Sequence, residues 1–397
     1  MGREVSPQLA ATITKAVYRL TEIPTIEEAI QSLNSQFSGS LIFSESNLLK
    51  GKTGGPGFIK VRTAFGFVLE GKKQLEGHTF IVFRGTKYLA DWLTNLNVLI
   101  DPSIAGNPAH EGFMKAFRSM LPQLREFTGQ LSNGSQVHCI GHSLGGALAT
   151  IASEWLNIEK GIQPKLYTFG SPRVGLPDFA RKTTHRLGSE NIFRVWHKTD
   201  IVPCIPIWPF EHTPSSGKDY FLPSPGFFPG AEWHSMDHYI QSVGRKNWKT
   251  IYALREQQPT EFNIRQWLSD KTILGCTLAA VKWLQHALAY VVNKCLSAVS
   301  GSYQLFLSTS STIMDRLAWI LSRGITFEEN LSGWVVHLMR KISEFPGMHR
   351  HLNTEKPGNT EKPGKSLIRY LLEQLSNKVN QMAKNTLSQA LADGRAL

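Results

Sequence analysis

Residues 137–150 read VHCIGHSLGGALAT, and this stretch decides the fold. An apolar run ends in Gly-His-Ser-Leu-Gly, and a segment of small residues that favours a helix follows it directly. A strand before and a helix after is the context in which a G-x-S-x-G pentapeptide forms a nucleophile elbow. Gly141 and Gly145 permit the sharp turn, and the positive end of the helix lies where an oxyanion would form. The sequence therefore predicts Ser143 as a catalytic nucleophile.

Length and charge indicate one large catalytic domain followed by a basic appendage. The chain has 397 residues, of which 41% are apolar, and this suits a globular protein with a large core. Residues 245–397 hold 20 lysines and arginines against 11 aspartates and glutamates, whereas residues 1–244 hold 23 against 20. The basic part is either a solvated surface or a contact to an anionic membrane. Among partners we expect a membrane surface and no nucleic acid.

The cysteines and the N-terminal residues indicate the cellular compartment in which the protein is made. Cys139, Cys204, Cys276 and Cys295 have no metal-ligand spacing, so we expect no metal and no cofactor, and nothing demands a disulfide. Residues 1–6 contain no apolar segment typical of a secretory signal. The sequence predicts synthesis in the cytoplasm, followed by membrane association or export by a non-classical route.

Up to about residue 255 the chain alternates between strand and helix patterns. After the N-terminal helices in 6–34, the patterns predict strands at 58–69, 79–83, 165–169 and 191–197, with a helix over 110–130 that is interrupted or bent at Pro122. Such alternation predicts an α/β fold with a mainly parallel central sheet and helices on both faces.

From about residue 260 the pattern is helical only. We predict four regions: a catalytic domain (1–255), a helical appendage (256–345) with helices over 303–322 and 327–345, a flexible linker containing a repeated NTEKPG (346–365), and an amphipathic helix (366–397). Residues 272–293 are apolar, but Lys282 and His286 lie near their centre, which favours a packed helix over a membrane span. The last helix could dock on the body, pair with a partner protein or lie on a membrane.

The remaining catalytic residues follow from chain order. The α/β-hydrolase arrangement runs from Ser to an acid and then to His. Asp200 comes just after a predicted strand, and α/β folds place functional side chains at the carboxyl ends of their strands. Asp200 is therefore preferred to Asp178 and Asp219. His212, His234 and His238 are the candidate bases. Position favours His234, and His238 stays open.

Several further motifs carry a resemblance to a known family. They are Phe83–Thr86, Asp91–Leu96, His110–Phe113, Gly141–Gly146, Phe169–Gly175 and Asp200–Pro203. In this order, over roughly residues 60–245, they resemble the class 3 lipase family, which has the α/β-hydrolase fold and includes fungal lipases and plant and bacterial phospholipases.

The resemblance implies roles for individual residues. Ser143 would be the nucleophile, Asp200 would orient the base, and Thr86 with the backbone N–H of Leu144 would form the oxyanion hole. Lys87–Leu93 resembles the family's lid helix, and His212 matches a position that is not the base. The spacing from His234 to Tyr239 is similar to that of the plant phospholipases and favours His234, whereas the shorter fungal spacing keeps His238 open.

These observations favour a serine ester hydrolase that releases fatty acid from membrane phospholipid or acylglycerol through an acyl-enzyme. Some bacterial members of the family are antibacterial effectors, which makes that role a further hypothesis. The alternative is a membrane- or partner-binding protein that uses a lipase-like domain as an anchor, with the C-terminal helices contacting a protein partner.

Overall fold

The computed structural model describes residues 5–53, 61–86, 99–129, 131, 134–216, 219–254, 257–271, 274–298, 312–348 and 362–392. The proposed lid segment Lys87–Leu93 and most of the NTEKPG repeat lie outside these residues, as does 303–311 at the start of a predicted helix.

A seven-stranded mixed sheet forms the centre of the molecule, in the order β1-β2-β3-β6-β7-β8-β9. Its strands are β1 (Leu48–Thr53), β2 (Val61–Glu70), β3 (His78–Phe83), β6 (Gln136–His142), β7 (Lys165–Phe169), β8 (Ile192–His197) and β9 (Asp219–Leu222). The first three pair antiparallel and the rest pair parallel. The predicted α/β class with a mainly parallel sheet is therefore confirmed. Short strands β4 (Ile100–Pro102) and β5 (Pro108–His110) form a separate pair.

Helices cover both faces of this sheet. Those of the first 254 residues are α1 (Pro7–Ala16), α2 (Arg19–Glu22), α3 (Ile26–Phe37), α4 (Glu111–Gly129), α5 (Leu144–Lys160), α6 (Pro177–Leu187), α7 (Met236–Val243) and α8 (Trp248–Tyr252). In β3, Phe80 and Val82 face the core under α1 and α7, while Ile81 and Phe83 face the core under α4 and α5. This alternation follows from the two-residue period of a strand.

The C-terminal part is helical, as predicted. It comprises α9 (Glu261–Ser269), α10 (Leu278–Ala298), α11 (Ile313–Phe327), α12 (Glu329–Ser343) and α13 (Lys365–Ala392). Leu371, Leu375 and Val379 of α13 are buried in the same apolar core as α4 and α5. The amphipathic stripe of α13 therefore packs within the chain, where α13 contacts α11 and the turn Ala231–His234.

Several local predictions differ from the structure. Helix α4 continues through Pro122 without interruption, because only one backbone bond is lost and the flanking Leu121 and Leu124 are buried. The apolar segment predicted over 272–293 forms its helix at 278–298. Across the described helices, none combines the length and apolar character that crossing a bilayer requires.

Candidate active site

Ser143 lies at the sharp turn between β6 and α5. Its φ of 57° and ψ of −130° lie outside the regions that a non-glycine residue ordinarily adopts. Its backbone N–H donates to the carbonyl of Phe169 (3.0 Å), and its own carbonyl accepts from Gly146 (2.9 Å). Neighbouring strand and helix thus hold the strained serine in place, as a nucleophile elbow requires.

The two glycines of the elbow are needed because backbones approach closely there. A Cβ on Gly141 would lie 2.0 Å from the carbonyl oxygen of Gly145. A Cβ on Gly145 would lie 2.2 Å from the carbonyl oxygen of Phe83. Both separations are far below van der Waals contact, so α5 can lie tightly against β3 and β6 only with glycine at these positions.

Asp200 follows β8 and is buried, with three donors around its carboxylate. Oδ2 accepts from Nδ1 of His234 at 2.9 Å and from the hydroxyl of Tyr239 at 2.7 Å, and Oδ1 accepts from the backbone N–H of Val202 at 2.9 Å. A buried carboxylate with several donors is held in one position. Nδ1 of His234 must carry a proton to donate here, which leaves Nε2 as the basic nitrogen.

Nε2 of His234 is buried and has no hydrogen-bond partner among the described residues. An unpaired buried nitrogen costs about 1–3 kcal/mol, so its retention suggests a use for that atom. His238 instead bonds to the hydroxyl of Ser235 (3.0 Å), and His212 bonds to the carbonyl of Pro203 (2.8 Å). Of the three candidate bases, the structure places His234 against Asp200.

Gly170 lies between the backbone acceptor of Ser143 and the Asp200–His234 pair. It follows Phe169, the acceptor for Ser143, and has a φ of 53°. A Cβ on Gly170 would lie 2.6 Å from Oδ2 of Asp200 and 3.0 Å from Nδ1 of His234. The residue beside the acceptor for Ser143 therefore lies directly against the Asp200–His234 pair.

The proposed oxyanion residues border the elbow. Leu144 is the first residue of α5, so its N–H lies at the positive end of that helix. Thr86 is buried and follows Gly85, on which a Cβ would lie 2.9 Å from Cβ of Ser143. Leu144 is thus bonded directly to the serine, and Thr86 follows a glycine that packs against the serine side chain.

A buried network that the sequence did not predict connects these parts. The hydroxyl of Tyr18 accepts from the N–H of Gly85 (2.8 Å) and lies 2.6 Å from Nδ1 of His142. Because that oxygen already accepts, its proton goes to His142, whose Nε2–H then donates to the carbonyl of His234 (2.7 Å). The network links the Gly85–Thr86 loop to the backbone of the candidate base.

Burial keeps this network neutral. Burial lowers the pKa of His142 well below its usual value, with His234 as a second cause. Burial raises the pKa of Tyr239, and the charge of Asp200 raises it further. The pKa of Tyr18 is also raised by burial. Tyr239 therefore donates to Asp200 as a neutral hydroxyl, which leaves the negative charge of Asp200 available to orient His234.

The site has the parts needed for nucleophilic acyl transfer: a strained serine, a histidine with an unpaired nitrogen and a buried orienting carboxylate. Among the residues that the structure describes, no group of three or more His, Cys, Asp or Glu side chains could hold a metal ion. Tyr18 and Gly170 were missed by sequence reasoning. The one sequence signal for Gly170 is its place in Phe-Gly-Ser-Pro after a predicted strand. No neighbouring residue identifies Tyr18 as part of the site.

Comparison with known proteins agrees with this geometry. The model of "Lipase (class 3)" matches residues 80–210. A secreted mono- and diacylglycerol lipase of Fusarium solani is 34% identical over 137 residues, which cover 33% of this chain and 40% of the relative. A phospholipase A1-II of Oryza sativa is 26% identical over 220 residues, which cover 47% of this chain and 54% of the relative.

The chain thus spans 40% and 54% of the length of these two relatives. Among solved structures, the triacylglyceride lipase of Rhizomucor miehei is 23% identical and covers 54% of this chain and 77% of its own, with a TM-score of 0.40. The matched region, residues 80–210, includes Ser143 and Asp200. Over this region the chain is similar to the class 3 lipase family.

Proposed function

We propose that the protein is a serine ester hydrolase that releases fatty acid from lipid esters through an acyl-enzyme. The observation that carries the proposal is the unpaired Nε2 of His234. Its ring is held by Asp200 at 2.9 Å and lies with its centroid 4.5 Å from that of His142, the residue before the strained Ser143. A protein that used this domain only as an anchor would have no need of such an arrangement. This favours the enzyme over the binding protein.

In the proposed reaction, Oγ of Ser143 attacks the ester carbonyl while Nε2 of His234 takes the hydroxyl proton. Asp200 stabilises the imidazolium that forms. His234 then protonates the leaving alcohol, and a water molecule attacks the acyl-enzyme by the same route to release the fatty acid. The N–H of Leu144 and Thr86 would stabilise the oxyanion, where loss of one donor costs about 3–4 kcal/mol.

Access to the site requires movement. Ser143 is 2% exposed and His234 is 1% exposed, so an ester cannot reach either residue in this conformation. The resemblance of Lys87–Leu93 to the family's lid helix supports a lid that opens at a lipid surface. We therefore expect activity on vesicles or micelles to exceed activity on dispersed monomeric esters.

For the substrate class we favour anionic membrane phospholipid over neutral acylglycerol. The relatives include a phospholipase A1 and a mono- and diacylglycerol lipase, so their names leave both classes open. Phe227 and Phe228 are 67% and 64% exposed on the loop that leads to His234, and Nζ of Lys198 lies 5.4 Å from the Phe227 ring. Exposed aromatics beside a basic residue suit an anionic membrane surface.

The test is fatty acid release from vesicles of phosphatidylglycerol and phosphatidylethanolamine and from emulsified triolein. Wild type is compared with Ser143→Ala and with the control Ser153→Ala, whose hydroxyl donates to the carbonyl of Ala149 in the same helix. We expect release by wild type and the control but not by Ser143→Ala, and the lysolipid formed will identify the ester cleaved. Turnover of triolein alone would overturn the substrate proposal, and release by Ser143→Ala would overturn the mechanism.

We further propose an antibacterial role, supported by the family resemblance and by the damage that phospholipid hydrolysis does to a membrane. Export of the wild-type protein to the bacterial periplasm should stop growth, and export of Ser143→Ala should not. Harmless periplasmic wild type with demonstrated phospholipase activity would end this proposal while leaving the enzyme proposal intact.

A further inference from the structure

A cavity of about 760 Å³ lies between the end of the sheet and helix α10. Arg194 and Trp196 of β8 line one side, and Lys282 and Gln285 of α10 line the other. None of the three triad residues is among the described residues that line it. Its volume is in the range of small-molecule sites, about 300–1,000 Å³.

Basic side chains outnumber acidic ones around this cavity. The charged lining residues are Arg173, Arg194, Lys198, Lys282, Glu211 and Asp219. Asp219 and Arg194 form an ion pair (2.7 Å), and the indole of Trp196 also donates to Asp219 (2.9 Å). Outside this pair, the charged lining residues are Arg173, Lys198, Lys282 and Glu211. Burial raises the pKa of Glu211 and, from the same cause, lowers the pKa of Arg173 to about 10. An anion entering the cavity therefore meets a surplus of positive charge.

Two lining residues also carry buried polar atoms that lack a partner among the described residues. Gln285 is 4% exposed; its Nε2 donates to the carbonyl of Cys204 (3.0 Å), while its Oε1 has no partner. Nε of Arg194 is likewise buried and unpaired. Both atoms are costly when unpaired. The N–H of Arg194 can donate to an anion, whereas Oε1 of Gln285 is an acceptor and would take a hydroxyl or N–H of a ligand.

The same cavity has a large apolar wall. Its aromatic lining residues are Trp196, Trp208, Phe210, Phe227 and Trp283, and Leu278 and Ala289 lie beside them. Nζ of Lys282 lies 4.2 Å from the centre of the Trp196 ring, so positive charge and aromatic surface are adjacent. A ligand that satisfies both surfaces has an anionic head and an apolar chain.

We propose that this cavity binds an anionic amphiphile, with a carboxylate or phosphate head near Lys282 and Arg194 and an acyl chain along the tryptophans. A released fatty acid and an anionic phospholipid share this chemistry. The site is separate from the ester-cleaving site and does not depend on the proposed function. It does border that site, since Thr199, Pro203 and Cys204 line the cavity on either side of Asp200.

The test is titration of the full chain carrying Ser143→Ala, which prevents turnover of the probes, by isothermal titration calorimetry. The probes are laurate, lauroyl-lysophosphatidylglycerol, the uncharged monolaurin and inorganic phosphate, each below its micelle concentration where it has one. We expect saturable binding of laurate or the lysolipid at least tenfold tighter than monolaurin and phosphate. Tighter binding of laurate identifies fatty acid as the occupant, and tighter binding of the lysolipid identifies phospholipid.

Variants assign the binding to this cavity. Lys282→Met, made in the Ser143→Ala chain, should weaken binding at least fivefold. Lys294→Met is the matched control, because Lys294 lies on the same helix over the Tyr290 ring (5.6 Å) but does not line the cavity. Lys198→Met is a second cavity variant should Lys282→Met fail to fold. The proposal is overturned if monolaurin binds as tightly as laurate and the lysolipid, if phosphate alone binds, if no probe binds, or if the cavity variants match the Lys294→Met control.

Discussion

The segment Thr199–Cys204 separates two regions of opposite electrostatic character. On one side, Asp200 is a buried carboxylate held by His234, Tyr239 and a backbone N–H. On the other side, Thr199 and Cys204 line a cavity in which basic side chains are in surplus. In the first region three donors surround one fixed negative charge, and in the second basic side chains outnumber acidic ones. The short segment Thr199–Cys204 therefore borders both the proposed active site, which needs the buried carboxylate of Asp200, and the proposed cavity site, which would attract an anionic ligand.

The largest expected effect comes from neutralising the charge on the first side. Asp200→Asn keeps the size of the side chain but removes the acceptor shared by His234 and Tyr239, so the histidine loses its orientation and its counter-charge. We expect kcat to fall by about 10³–10⁴-fold. The measurement is kcat on lipid vesicles, with probe binding in the cavity retained.

Asp178→Asn is the control, since Asp178 pairs on the surface with Arg181. It should leave kcat unchanged. A similar loss in both variants would mean that the effect of Asp200→Asn is not specific to the triad.

The second effect tests the close packing around the triad. Gly170→Ala adds a Cβ that would meet Asp200 and His234, and we expect a loss of about 1–3 kcal/mol in the free energy of unfolding from the positive φ alone. Displacement of the pair should also lower kcat by roughly 10²-fold. Thermal unfolding and vesicle hydrolysis measure the two effects.

Gly226→Ala separates backbone strain from contact. Gly226 also has a positive φ (84°), but a Cβ there would have nothing within 4 Å. It should lose stability without the fall in kcat. If both variants lose activity equally, the packing of Gly170 on the triad has no special role.

A third effect concerns the buried tyrosine. Tyr18→Phe removes the partner of the Gly85 N–H and of Nδ1 of His142, so we expect a loss of about 1–3 kcal/mol in the free energy of unfolding. Because the network holds the loop that carries Thr86, kcat should fall about tenfold with KM nearly unchanged.

Tyr290→Phe is the matched control, since its hydroxyl also makes two hydrogen bonds, to the surface residues Arg265 and Glu261. It should change neither kcat nor stability appreciably. A Tyr18→Phe enzyme that loses stability but keeps full kcat would assign Tyr18 a structural role only.

The last effect concerns no change in activity, only the pH dependence of stability near the cavity. His110 lies 5.8 Å from the Phe210 ring that lines it, and burial lowers the pKa of His110 to about 3. Its unfolded-state pKa is about 6.5, so the unfolded chain binds more protons between these values. The stabilisation is present above pH 6.5 and is lost as the pH falls toward 3, by about 1.4 kcal/mol per pH unit within that window.

His110→Asn should flatten this slope, because asparagine can still accept the N–H of Gly112 but does not titrate. Urea unfolding at pH 4 to 7 measures the slope. The exposed His185, changed to Asn, is the control and should leave it as in wild type. Identical slopes in all three proteins would contradict the account.

Local sequence was enough to propose the elbow and the acid, and it left His212, His234 and His238 as candidate bases. Ser143 sits in a pentapeptide whose flanking strand and helix are encoded by adjacent residues, and Asp200 follows a strongly apolar strand. The choice between His234 and His238 needed the fold, because it depends on which ring the turn Ala231–His234 brings to Asp200.

Contacts between distant segments could not be predicted. Tyr18 meets His142 across 124 positions, and the cavity is assembled from β8, β9 and α10. The edge strands β1 and β9 were not among the predicted strands, and each is made regular by pairing with a single neighbouring strand.

The most direct test of the central claim is reaction with a fluorophosphonate in the presence of phospholipid micelles, followed by peptide mass spectrometry. A phosphonate forms a stable adduct only with a serine activated by a base. The account predicts one adduct on Ser143, none in Ser143→Ala, and labelling at least 100-fold slower in His234→Gln. An adduct on another residue, or labelling of Ser143 at an unchanged rate without His234, would contradict it.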